Sequence, residues 1–356
     1  MKREERGQCF MGIDQHKHYS EVAVVNESGE VLERRKLFHS NKEEMLGYFK
    51  SYSKEETKVV MEATGSWYWL ADMLEEANLE TVLAHPYKTR IIAESKIKTD
   101  PIDAYWLAQL HRVSLIPESY LAPSDTRKLK EGLRYRMALV KIRTSLKCRI
   151  HSILEREGIE SPGYTDLFGK RGLEWIKGIK LECQIKKSLD GYLTVMEKLN
   201  KLIGEMDKGI REKVAESEDA QLLKTIPGVG HFISHLILVE IGDVNRFLNA
   251  KRLCSYAGLI PSLHQSGKIY HTGKITKQGN KYLRWALIEA AMVAEVKDGY
   301  LKYFYKKLSD KKGKQKARVA VARKLCEYVW EMLKKKEVYK TRMHKPQASP
   351  GFYSGR

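Results

Sequence analysis

The first hundred residues alternate between short apolar runs and amphipathic stretches, and this alternation limits the fold more than any other feature of the chain. From Phe10 to about Arg112 the runs FMGID, EVAVV, VLERRKLF, KVVMEA and TVLAH are separated by turn signals or helix-like segments. Three strands come first, and Asn26-Glu27-Ser28-Gly29 supplies turn residues between the second and third. The rest reads as αβαβα, so a meander leads into an α/β sheet with mixed strand directions.

That order suits a ribonuclease-H-like α/β domain over residues 8–116. Pro117 and Pro123 then punctuate a linker, and Ser124 or Asp125 can cap a helix carrying Leu129, Leu133, Met137 and Val140 on one stripe. The helical pattern breaks in EGIESPGYTDLFGKRG. It resumes with Ile185, Leu189, Tyr192, Met196, Leu199, Ile203, Met206 and Ile210, spaced alternately by four and three. Residues 124–216 are therefore expected to form an α-helical coiled-coil arm, closed either within the chain as a hairpin or between two chains.

Residues 217–340 read as a mostly α-helical C-terminal domain around the loop-rich insert GLIPSLHQSGKIYHTGKITKQGN, and 341–356 as a tail. Within this domain LLKTIPGVGHFISHLILVEIG reads as helix, tight turn, helix. Gly228 and Gly230 would let the backbone approach a phosphate, as in a helix-hairpin-helix-like element, although a plain connector has the same spacing.

Lys and Arg total 64 against 45 Asp and Glu, a formal net charge of +19. Such a surplus favours a polyanionic partner over a small acidic ligand, and nucleic acid leads. Between Leu301 and Lys345 stand 16 Lys or Arg against 4 Asp or Glu. With Tyr303, Phe304, Tyr305, Tyr328 and Trp330 interleaved, that segment reads either as a track for a sugar-phosphate backbone or as a solvated helix face. Five scattered cysteines form no CxxC pair, so neither zinc nor disulfides are indicated and a reducing cytoplasm fits. No apolar run of signal or membrane-spanning length follows MKREERGQ or occurs later, so no membrane partner is expected.

Two apolar runs close on a carboxylate: Asp14 in GIDQHK and Glu62 in VVMEATG. Acids at neighbouring strand ends would face each other. Asp100 and Asp103 in KTDPIDAYWLA lie three apart at a helix start, on one face, with Pro101 suited to the first turn. Either acid of that pair could simply answer the helix dipole. Four carboxylates converging from strand, strand, helix and helix instead point to a metal site, because their mutual repulsion is relieved chiefly by a divalent cation. All-oxygen ligands favour Mg²⁺ or Mn²⁺, and two such ions suit phosphodiester chemistry. His16 and His18 are expected at the periphery.

In the C-terminal domain His264-Gln265-Ser266-Gly267-Lys268 places a hydroxyl beside a glycine, with Lys268, Lys274, Lys277 and Arg284 available to balance phosphate charge. From spacing alone Ser266 is a turn residue as readily as a nucleophile.

Taken together, GIDQHK, MEATGSW and KTDPIDA, followed by IPGVG, SYAGLIPSLHQSGK, ITKQGNKYLRWAL and ARVAVARKLCEYVWEML, resemble the DEDD transposases of bacterial insertion sequences, the insertion sequence 110 family. The resemblance spans nearly the whole chain and departs mainly in the stretch from about 158 to 180. It implies that Asp14, Glu62, Asp100 and Asp103 are catalytic metal ligands and that Ser266 is a covalent nucleophile. It also implies a first domain similar to junction resolvases, and cutting and rejoining of donor and target DNA through a phosphoserine link and a four-way junction. The partners it implies are a structured guide RNA and further copies of the chain, a dimer that becomes a tetramer in the synapse, acting at the nucleoid in the prokaryotic cytoplasm. The alternative is a metal-dependent endonuclease or junction resolvase in which water attacks and Ser266 is structural.

Overall fold

A computed structural model describes residues 7–63, 65, 67–92, 100–266 and 269–341. The chain divides into two compact units, Met1–Ser124 and Asp125–Arg356.

The first unit is built on one mixed sheet. Strands β1 (Cys9–Gln15), β2 (Tyr19–Val25) and β3 (Val31–Phe38) form the antiparallel meander. Then follow α1 (Lys42–Lys50), β4 (Thr57–Glu62), α2 (Tyr68–Glu76), β5 (Glu80–Ala84), α3 (Pro86–Ile92), α4 (Asp100–Arg112) and a two-residue strand β6 (Glu118–Ser119). The sheet order is β3-β2-β1-β4-β5-β6, with β1, β4 and β5 parallel and β6 antiparallel at the edge. This mixed sheet with flanking helices is consistent with the ribonuclease-H-like reading. β6 falls in the segment read as linker, because two residues are too few to leave an alternating pattern.

Local chemistry sets the meander turn. The Asn26 side-chain oxygen accepts from the Ser28 hydroxyl at 2.7 Å and the Glu30 amide at 2.9 Å, and Gly29 takes φ +88°, a region glycine enters at no steric cost. The period of two then sorts side chains to the two faces. Met11, Ile13, Val59 and Met61 pack with Met45 and Phe49 of α1 and Leu70 and Leu74 of α2. On the opposite face Phe10 and Val25 pack with Ala108, and Val60 with Leu107, so α4 covers that side. Gly12 is where helix and strand meet: a Cβ there would run into the Ala104 carbonyl.

The second unit is mostly helical. Two long helices, α5 (Ser124–Arg156) and α7 (Cys183–Glu216), pack antiparallel within the chain, with Arg136 donating to Asp207 at 3.0 and 3.2 Å and Arg143 to Asn200 at 3.0 Å. The expected seam is occupied: Leu189, Met196, Leu199, Ile203 and Ile210 are buried, Leu199 and Ile203 against Leu139 of α5. Of the two closures open to the heptads, this one is intramolecular. A further helix, α6 (Lys170–Gly178), begins at the end of the stretch read as a break, and its Ile176 joins Ile150, Leu189 and Met196 in one cluster.

Beyond the arm lie α8 (Glu218–Lys224), α9 (His231–Ile241), a 3-10 turn (Val244–Arg246), α10 (Ala250–Tyr256), strands β7 (Pro261–Ser266) and β8 (Ile269–Ile275), α11 (Lys281–Lys297), α12 (Gly299–Lys312) and α13 (Lys314–Lys335). Their core centres on Leu236, Leu253, Leu287, Ala290 and Leu325, and Leu133 of α5 joins it. Among the described residues no helix is long and apolar enough to cross a membrane.

Candidate functional site

Two of the four acids, Asp14 and Glu62, stand at the C-terminal ends of adjacent parallel strands. β1 and β4 pair in parallel with Gly12 opposite Val60 and Ile13 opposite Met61, so Asp14 and Glu62 occupy the next step, side by side on strands about 4.8 Å apart. Both follow by two residues a position that faces α4, Gly12 and Val60, and so both lie on the α4 face. The helix runs against β1. Ala104 lies over Gly12, Ala108 packs with Phe10, and the His111 ring stands edge-on to Phe10 at 5.9 Å.

From Gly12 to Asp14 the strand rises about 6.6 Å. From Ala104 back to Asp100 the helix rises about 6 Å, which brings the start of α4 level with Asp14. Asp100 is the first residue of α4 and Asp103 the fourth, half-buried. The side chain of Asp100 lies outside what is described. Among the described residues no group of three or more His, Cys, Asp or Glu side chains is gathered as a metal cluster.

Asp14 is buried, and its Oδ2 lies 3.0 Å from His16 Nε2. The His16 ring tilts over Tyr19 at 4.8 Å. Next to them His39 bonds the Ser20 hydroxyl at 2.9 Å, reaches the Lys17 carbonyl at 3.3 Å and stands edge-on to Trp69 at 4.7 Å. Burial lowers the His39 pKa. His16, expected at the periphery, thus touches a candidate ligand directly. The turn that curls it back, with the His16 amide donating to the Tyr19 carbonyl, leaves no mark in residue spacing. His39 was missed altogether, a lone histidine after a strand.

The segment read as a loop-rich insert is a β-hairpin. β7 and β8 pair antiparallel, with Gln265 opposite Tyr270 and Ser266 opposite Ile269. Ser266 is the last residue of β7, its side chain outside the described set, as are Gly267 and Lys268. The stems are held firmly. The Thr276 amide donates to the Ile260 carbonyl and the Asn280 amide to the Tyr256 carbonyl, and Arg284 Nη1 donates to the carbonyls of Ala257 at 3.0 Å and Lys277 at 3.2 Å. Asn280 also caps α11 and donates to Glu240 Oε2 at 2.7 Å. Glu240, 0% exposed, accepts both prongs of Arg134 from α5 at 2.9 and 3.0 Å, with Lys130 Nζ at 3.9 Å. One buried carboxylate therefore ties the arm to the foot of the serine hairpin.

Comparison with known proteins gives this architecture a family. A DEDD transposase model of IS110-type elements matches residues 11–158, and one described as "Transposase IS116/IS110/IS902 family" matches residues 220–306. The chain belongs to the IS110 family of transposases. It is similar to the transposase for insertion sequence element IS1111A of Coxiella burnetii, 26% identical over 342 residues, 93% of this chain and 91% of the relative. It is also similar to the pilin gene-inverting protein of Moraxella bovis, 29% identical over 307 residues, 82% of this chain and 85% of that one. The transposase for IS1328 of Yersinia enterocolitica is 25% identical over 293 residues, 80% of this chain and 83% of that relative. The two family matches cover the sheet with its carboxylate edge and α5, and then the helical region from α8 into α12, with α6 and α7 between them.

In this IS110-family enzyme the other candidate contact residues separate by environment. Gly228 takes φ +90°, and a Cβ there would stand 2.6 Å from the Ala290 carbonyl, so it serves a close approach of the turn to α11. Gly230 lies open at the start of α9, which no side chain caps. Lys277 is exposed, while the side chain of Lys274 lies outside the described set, as does all of Lys268. Glu240 was missed from the sequence, although a single acid inside the apolar run LILVEIG was a visible signal of a buried, paired charge.

Proposed function

We propose that this transposase cuts and rejoins donor and target DNA with Ser266 as nucleophile and the four acids Asp14, Glu62, Asp100 and Asp103 as ligands of Mg²⁺ or Mn²⁺. The observation that carries the reading is the alignment of Asp14 and Glu62 on adjacent parallel strands with the acidic start of α4 antiparallel over them. An all-oxygen donor set with a buried member suits a hard divalent cation. When bound, such ions supply Lewis acidity toward phosphate oxygens.

The chain's own residues do the rest. The Ser266 hydroxyl attacks the scissile phosphorus: a P–Oγ bond forms as the bond to one sugar oxygen breaks, the hydroxyl proton leaves, and the freed sugar oxygen is protonated. Reversal with a different sugar hydroxyl rejoins the strand, and the phosphoester keeps the bond energy, so no nucleotide is consumed. Lys268, Lys274 and Lys277 balance phosphate charge, and Arg284 holds the hairpin stems. A structured RNA pairing with both DNAs supplies sequence choice, while the protein reads backbone and shape. The metal lobe comprises residues 8–116, the arm 124–216 and the serine domain 217–340.

The assembly is a dimer that becomes a tetramer in the synapse, acting on the nucleoid in the cytoplasm. Exposed Tyr135 and Ile142 on α5, and Val195 and Leu202 on α7, support self-association: each pair is seven residues apart, outside the intramolecular seam. Inversion, the activity named for the Moraxella relative, would be the same strand exchange within one DNA.

The test is direct. Incubation with Mg²⁺, the RNA and supercoiled DNA should leave DNA attached to protein after denaturation, and Ser266→Ala should abolish the adduct. Cleaved ends without an adduct would establish water as nucleophile instead.

A further inference from the structure

The basic C-terminal segment splits into two parts that behave differently. Between Arg318 and Lys336 several of the charges are engaged inside the chain: Arg318 with Glu295 at 2.6 Å, Lys324 with Glu327 at 2.8 Å, Lys334 with Asn245 at 2.7 Å and Lys336 with Asp219 at 2.6 Å. Between 302 and 316, by contrast, seven lysines are accompanied by one acid, Asp310. All seven are exposed, and none of the ion pairs formed among the described residues engages them.

Their placement is unfavourable without an outside anion. Lys302 and Lys306, and Lys307 and Lys311, stand four apart on α12, where like charges repel. Lys314 and Lys316 open α13, whose first turn holds no acid and whose N-cap, Gly313, offers no side chain, so these cations sit at the positive end of the helix dipole. Four of the five aromatic residues of the basic segment face elsewhere. Phe304, Tyr305 and Trp330 pack against the core, Trp330 donating to the Phe247 carbonyl, and Tyr328 is buried. Of the five, only Tyr303 is well exposed, at 49%.

We propose that the corner between α12 and α13 docks on the phosphate backbone of double-stranded DNA, without reading its sequence. Lysine ammonium groups are point charges that match a backbone and carry no base code. A single-strand track would need a row of stacking rings, and only one ring here, Tyr303, is well exposed. The proposal rests on the reading that the chain acts on DNA, and it adds a contact made by residues other than the four acids and the serine hairpin.

The test is equilibrium binding of the full chain and of K306Q/K307Q/K311Q/K314Q to a 30-base-pair duplex, to a single strand of equal length and to an RNA hairpin, from 50 to 200 mM salt. These positions are solvated, so the variant should fold. The slope of log affinity against log salt should fall by about 3 to 4 for the duplex, since each neutralised phosphate contributes about 0.9. Single-strand binding should change by less than about threefold, the scale of one weak contact. An unchanged duplex slope, an equal loss on single strand, or a larger loss on RNA would overturn the proposal. Absence of duplex binding by the unaltered chain would overturn the DNA reading itself. Because the readout is binding, a chain that forms no phosphoserine leaves the test intact.

Discussion

His16 Nε2 lies 3.0 Å from Asp14 Oδ2, a contact that fixes one candidate ligand of the acidic edge before any cation arrives. If Asp14 holds a cation as proposed, this contact would orient the carboxylate, the kind of outer contact whose loss weakens metal affinity by about 10–100-fold. Asp14→Asn should abolish strand transfer. His16→Ala should instead raise the Mg²⁺ concentration for half-maximal activity by about that factor, as read by metal titration. An unchanged requirement would make His16 a bystander.

Gly12→Ala tests the helix–strand contact that levels the acids. The added methyl meets the Ala104 carbonyl, backbone that cannot rotate away, so α4 must shift. A destabilisation of about 1–3 kcal/mol is expected in urea unfolding followed by circular dichroism. Activity should fall further than stability, because the shift moves Asp100 and Asp103. Wild-type stability and turnover would mean the sheet absorbs the change.

Glu240→Gln removes the buried carboxylate that accepts both prongs of Arg134, and because Arg134 is partly exposed the loss should be about 1–3 kcal/mol, below that of a fully buried pair. Hydrogen exchange should rise across the serine hairpin and its stems, residues 261–280, more than in α13. Uniform loss of protection would make the network purely structural.

Lys130 gives the same network a pH signature. Burial pulls its ammonium down to about 8 from the usual lysine value of 10.5, while the nearby Glu240 raises it. Between those two values the unfolded chain binds the proton and the folded chain has released it, so stability contributed by this group increases as pH rises from about 8 towards 10.5. Below about 8 both states are charged and burial of the charge is a fixed cost. Urea unfolding at pH 7.5, 8.5 and 9.5 should show the increase, and Lys130→Met should remove it. A wild-type decrease relative to that variant would mean the ion pair outweighs burial.

Ile142→Asp with Leu202→Asp should convert a self-associating chain to a monomer in analytical ultracentrifugation, with the helical signal unchanged. Both positions are exposed and outside the seam, so folding has no stake in them. Persistent dimers would place the interface elsewhere.

The sequence disclosed features written in local runs. Asp14 and Glu62 stood out because each closes an apolar strand, Asp100 and Asp103 because they open a helix beside a proline, and the α7 stripe because its spacing is strict. The β7–β8 hairpin stayed hidden because Gly273 and the lysines interrupt its alternation, and α6 because glycine and proline surround it. The tie between Arg134 and Glu240 spans 106 residues and exists only through tertiary packing. Likewise Trp330 looks like an exposed stacking ring in the sequence, whereas its indole is directed at Phe247, 83 residues away.

The antiparallel pairing of α5 with α7 makes the arm a strut of fixed reach. Thirty-three and thirty-four residues at about 1.5 Å each set its span near 50 Å, and the mutual grip of the two helices resists bending. Distance along such a strut is counted in whole heptads: removing seven residues from each helix would draw the α6 tip inward by about 10 Å and keep every seam contact in phase. Removing five would rotate the tip out of line, so length and orientation of this enzyme's far end are set by the same repeat.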